Sequence, residues 1–97
     1  RYMFVLQPTL AVTRKPLTKR ERKYLRFTRY FQECYDQIDH TLQNFHLENF
    51  TYLNFSGIYD QLSNKDDIFL DSYHFGDKGN EIIAENIYSN IKMLLAR

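Results

Sequence analysis

The stretch FLDSYHFGDKGNEIIAENIY, Phe69–Tyr88, places Asp71 three residues before His74 and Gly79 five residues after it. Beyond Gly79, Ile83, Ile87, Ile91 and Leu94 recur at helical spacing and predict an amphipathic helix running close to the C-terminus. A histidine acting as general base takes a proton from a nucleophile and hands it to a leaving group. It does this best when one ring nitrogen faces the nucleophile and the other donates to a carboxylate, which sets the tautomer and stabilises the imidazolium. Asp71 and His74 suit those roles in type, and three residues of loop let the carboxylate fold back to the ring.

Upstream of this block, FTYLNF (Phe50–Phe55) is short and rich in aromatic and branched residues, and predicts a strand ended by Ser56-Gly57. Ile58–Leu62 predicts one helical turn, Ser63–Asp67 a polar loop, and Ile68–Leu70 a short apolar step into the motif. Thr18 and Glu21 have the spacing of a capping box. From there Phe27, Phe31, Cys34, Ile38, Leu42 and Phe45 trace one apolar stripe, opposite a polar face with Arg20, Lys23, Gln32, Asp36 and Gln43. One long helix of about 25–30 residues is expected, its aromatic stripe serving as packing. At the N-terminal end MFVLQP (Met3–Pro8) predicts a strand buried on both faces, as in a parallel sheet, closed by Pro8. Strand, long crossover helix and strand make a right-handed parallel α/β unit.

The chain has 97 residues, enough for one domain with a modest core, with 43% hydrophobic and 26% charged residues, an ordinary globular mixture. No apolar run approaches the roughly 18–20 residues that span a bilayer. The lone Cys34 excludes an internal disulfide and leaves the compartment open. The net charge of +1 hides an asymmetry: residues 1–29 hold nine basic residues against Glu21 alone, and the remainder is net acidic. The basic run Arg14–Arg29 is framed by no nucleic-acid motif, so it is read as a solvated helix start facing an acidic neighbour, not a nucleic-acid surface. Arg1 leads straight into a strand pattern, and two strands cannot supply a covered parallel sheet, so the chain is expected to begin inside a larger protein.

The segment DSYHFGDKGNEIIAENIY resembles the last conserved block of the SGNH, or GDSL-like, hydrolase superfamily, in which Asp-x-x-His is followed by a glycine opening the terminal helix. MFVLQP and FTYLNFSGIYDQL resemble the late strands of that fold, so the likeness covers most of the chain. It implies the C-terminal part (residues 1–97) of a three-layer αβα, flavodoxin-like domain. The activity implied is serine ester hydrolysis on acylated carbohydrates, lipids or small molecules. His74 would be the general base and Asp71 its orienter, with no cofactor and no metal. The superfamily's Gly-Asp-Ser-like nucleophile block and its oxyanion glycine and asparagine have no counterpart around Ser56, Ser63, Ser72 or Ser89, nor around Asn54, Asn80, Asn86 or Asn90. The chain alone is therefore expected to be inactive, its essential partner being the N-terminal part of the domain.

Two other readings use the same residues. Asp71, His74 and Asp77, spaced three apart, have metal-ligand chemistry, with His40 and His46 far off on a helix-like segment. A non-catalytic relative of the fold, or a partner-binding fragment, could keep the Asp–His block without its chemistry.

Overall fold

The computed structural model describes residues 1–96. Strands β1 (Tyr2–Leu6) and β2 (Phe50–Asn54) pair in parallel, Tyr2 opposite Phe50 and Leu6 opposite Asn54. Parallel neighbours require a long connection; it carries α1 (Lys19–Arg22) and α2 (Thr28–Gln43), and α3 (Asp77–Leu95) follows β2. Among the described residues the architecture is thus mixed α/β, with one two-stranded parallel sheet and three helices. No described helix is long and apolar enough to cross a membrane.

The pleat alternates side chains between the two faces of the sheet. Phe4 and Tyr52 stack at 6.2 Å beneath α2, where Phe4 shares a groove with Ile38 and Leu42, and the Tyr52 hydroxyl donates to Asp39 at 2.8 Å. Met3 and Thr51, one register step away, share an apolar groove with Ile91 and Leu94 of α3. Both helices run against the strands. Tyr35 of α2 donates to the carbonyl of Gln7 just past β1, whereas Phe45, beyond the end of α2, meets Phe50 at the start of β2. At the far end of α3, the Leu94 carbonyl accepts from the Arg1 guanidinium.

Four expectations need correction. The single long helix is two helices. The capping box forms as its spacing predicts, Thr18 Oγ1 accepting from the Glu21 N–H and the Glu21 carboxylate from the Thr18 N–H, but α1 stops at Arg22. A continuous helix would offer the Tyr24 carbonyl to the Thr28 N–H; here the Ser72 hydroxyl takes it at 2.6 Å. Phe27 then turns through left-handed φ 53° before α2 restarts, a conformation that costs an L-residue about 1 kcal/mol or more. The second correction concerns β1, which is not buried on both faces: Tyr2 and Phe4 are exposed and only Leu6 is buried, because no helix packs closely over this strand.

The third concerns the core. No residue of α2 is fully buried, and Phe27, Ile38 and Phe45 of its stripe are exposed. The core lies instead under the Asp–His block, where Leu10, Tyr59, Ile68 and Phe69 pack with Leu17, Ile58, Leu62, Phe75, Ile82 and Ile83. Tyr59 and Phe69 meet edge to face at 5.6 Å. Fourth, Ile58–Leu62, expected as a helical turn, is a run of tight turns with N–H to carbonyl bonds from Ile58 to Phe55 and from Leu62 to Tyr59. That path drives the Tyr59 ring inward, where its hydroxyl donates to the Gly79 carbonyl at 2.9 Å.

Gly79 admits this contact. A Cβ there would lie 2.9 Å from Phe75 Cβ, 2.9 Å from the Tyr59 hydroxyl oxygen and 3.0 Å from Ile68 Cγ2. Gly79→Ala is expected to destabilise the protein by about 1–3 kcal/mol through overpacking, outweighing the roughly 1 kcal/mol of helix propensity that alanine adds. A denaturation midpoint equal to or above the parent's would contradict this.

Candidate active site

The Asp–His block is a closed loop standing on the core. Phe69 and Phe75 form an antiparallel bridge, the Leu70 N–H donates to the His74 carbonyl at 2.8 Å, and the Gly76 N–H donates to the Ile68 carbonyl at 2.9 Å. Gly76 ends the loop as the N-cap residue of α3. At the tip, Asp71 organises its own surroundings. Its Oδ1 accepts the Tyr73 and His74 N–H groups, each at 2.8 Å, and His74 Nδ1 lies 2.9 Å from Oδ2. The D-x-x-H spacing therefore does what it promises: the carboxylate caps the turn with one oxygen and meets the imidazole with the other.

The His74 side chain is 75% exposed, and no hydrogen bond to its Nε2 is made within the described residues. A neutral ring whose Nδ1–H donates to Asp71 presents an unprotonated Nε2 to solvent. The loop also sits beside the chain leaving β1, where the Leu10 N–H approaches the Ser72 carbonyl at 3.4 Å. That is the carboxyl end of the parallel strands, where open α/β sheets bind ligands.

Bonds from the Tyr73 and His74 N–H groups, and then from the imidazole, hold the Asp71 carboxyl down at about 2. Its ordinary value is about 3.9. A depressed carboxyl stabilises the fold above the unfolded-state value, and that contribution is lost as pH falls through the folded-state value. The capped turn is thus expected to survive to about pH 2–3. A carboxyl-resolved NMR titration should place the Asp71 midpoint near 2, and a midpoint near 4 would show that the turn bonds are not maintained.

The loop is held from outside by α1. The Glu21 carboxylate accepts the N–H groups of Ile68 at 3.0 Å and Phe69 at 2.9 Å, while its other oxygen accepts from Lys15 Nζ at 2.7 Å. Both side chains of this ion pair are fully buried. Burial pushes the Glu21 carboxyl upward, but the Lys15 ammonium and the backbone N–H groups of Thr18, Phe69 and Ile68 outweigh it and hold the group low. Arg20 donates to the carbonyls of Phe69 and Leu70 and pairs with Asp67 at 2.6 Å. The basic run thus turns partly inward: Lys15 and Arg20 are structural, and Lys19, Arg22, Lys23 and Arg26 remain exposed.

None of the four serines meets the imidazole. Ser72 bonds the Tyr24 carbonyl, Ser63 bonds Asp66, Ser89 bonds back to Glu85 within α3, and Ser56 lies in an open cavity of about 340 Å³ with Arg14, Asp36 and Asp60. Neither Asp71 nor His74 lines that cavity. Asp77 is taken up as the first residue of α3, and among the described residues no three His, Cys, Asp or Glu side chains converge as metal ligands. His40 and His46 are exposed. Comparison with protein-family models, with curated proteins and with solved structures found no match to this chain.

Proposed function

We propose that the chain supplies the general base and its orienting carboxylate to a serine ester hydrolase of the SGNH type. It would do so as the C-terminal part of a three-layer αβα, flavodoxin-like domain. The observation that carries the proposal is the exposed His74 ring, bonded through Nδ1 to Asp71 and free at Nε2, at the carboxyl end of two parallel strands.

In this scheme Nε2 takes the proton of a serine hydroxyl as its oxygen attacks an ester carbonyl, and Asp71 stabilises the imidazolium. The imidazolium then protonates the departing alcohol oxygen, leaving an acyl-enzyme. Water, deprotonated by the same base, releases the acid and regenerates the serine. No metal or organic cofactor is called on. The nucleophile and oxyanion donors come from an upstream part of the domain, consistent with the four serines bonded or placed elsewhere. The unpaired edge of β1 suits the pairing of a further parallel strand, and the apolar grooves on the two faces of the sheet suit the helices that cover such sheets. The substrate is an ester: an acylated carbohydrate, lipid or small alcohol.

The test is a short-chain chromogenic ester offered to a polypeptide that joins this chain to its preceding sequence. Turnover dependent on both His74 and Asp71 supports the proposal. A polypeptide that binds a partner but shows no turnover favours the non-catalytic reading. Chelator-sensitive turnover would require a metal and overturn the scheme.

A further inference from the structure

We infer that Arg20 and the buried Lys15–Glu21 pair are positioning residues that fix the tautomer and aim of His74. The inference rests on the reading of His74 as a base, and it begins from the backbone of Ile68–Leu70, the strand of the loop leading into Asp71.

Each residue of that segment carries one N–H and one carbonyl to be satisfied. The Ile68 and Phe69 N–H groups go to Glu21, and the Phe69 and Leu70 carbonyls go to Arg20. The Ile68 carbonyl and the Leu70 N–H close the loop on Gly76 and His74. Four of the six groups are therefore held by two consecutive side chains of α1, a helix of only four residues. Lys15 holds Glu21 in turn, and its ammonium also donates to the Pro16 carbonyl at 2.7 Å.

A buried carboxylate without a cation would be costly; with Lys15 in place it is a fixed acceptor aimed at two N–H groups. Asp71 follows Leu70 directly, so the clamp fixes the backbone from which the Asp71 turn springs, and that turn carries the carboxylate to Nδ1. Ser72 adds a second tie, through Tyr24 to the segment that follows α1. The break between α1 and α2 acquires a purpose: it frees α1 to lie against the loop.

The test reads the imidazole itself. In the 15N-labelled joined polypeptide, at a pH where the ring is neutral, the two nitrogen shifts report the ratio of Nδ1–H to Nε2–H tautomers. The parent is expected to be dominated by Nδ1–H. Arg20→Ala, at the surface, should lower the ratio about two- to ten-fold, the equilibrium equivalent of one net hydrogen bond. Arg20→Lys should fall between the two, and Lys19→Ala, an exposed side chain with no hydrogen bond or ion pair to the loop, should change nothing. Amide exchange of the β1–β2 ladder serves as the fold control and should be unaltered.

An unchanged ratio in Arg20→Ala overturns the inference. So does a ratio that falls only together with ladder protection, since that marks general destabilisation. Because the ratio is read without substrate, a failure of ester turnover would contradict the hydrolase proposal and leave this result standing.

Discussion

Replacing His74 with Ala in the joined polypeptide is expected to lower kcat on a short-chain ester about 10⁴- to 10⁶-fold, with little change in KM. The magnitude follows from the role. In the proposed scheme the serine proton would then have no acceptor in the transition state, and only oxyanion stabilisation and substrate binding would remain. The fold should tolerate the change, because the ring is mostly in solvent and its polar tie is to a neighbour three residues away. Thermal unfolding should therefore move little while turnover collapses. Asp71→Asn should cost about 10⁴-fold by stabilising the wrong tautomer. Undiminished activity in His74→Ala would remove this histidine from the mechanism.

The largest effect on stability is expected at Glu21. Glu21→Ala leaves the Lys15 ammonium buried without its partner, strands the Ile68 and Phe69 N–H groups, and undoes half of the capping box. Breaking a buried pair by removing one member costs about 3–5 kcal/mol. For a domain of roughly 100 residues each kcal/mol lowers Tm by about 4–8 °C, so the Tm of the variant is expected to fall by roughly 12–40 °C. The double change Lys15→Met with Glu21→Gln removes both charges and keeps an acceptor for the loop, and should cost less than Glu21→Ala alone. A loss below about 1 kcal/mol in Glu21→Ala, measured by urea unfolding, would mean that the pair does not support the loop.

Legibility in the sequence divides along physical lines. Both strands were readable because short apolar runs ended by Pro8 and by Ser56-Gly57 carry their own boundaries. Helix α3 was readable because its stripe repeats without interruption, and the Asp71–His74 contact because spacing alone lets the turn close. The break at Phe27 was not readable. No glycine or proline marks it, and the Tyr24 carbonyl that the break frees is satisfied by Ser72, 48 residues away.

The clamp was half readable. The capping-box spacing identified the bond between Glu21 and Thr18, but the other carboxylate oxygen serves residues 47 and 48 positions away. Local pattern cannot express such contacts. Lys15, inside a basic run, carries no sign of burial, since lysine is almost never fully buried unless paired. The core was misplaced for the opposite reason. The stripe on α2 is a strong periodic signal, but the residues that pack most tightly, Leu10, Tyr59, Ile68 and Phe69, come from irregular segments without a period.

The central claim, that His74 is the proton acceptor for a serine outside residues 1–97, is tested most directly by covalent trapping. The joined polypeptide is treated with a fluorophosphonate, which reacts with an activated serine hydroxyl, and the modified residue is mapped by mass spectrometry. One serine upstream of Arg1 should be labelled rapidly in the parent and at least a hundred-fold more slowly in His74→Ala, on the order of one general-base contribution. Labelling at an equal rate in both proteins, or at no serine in either, would contradict the account.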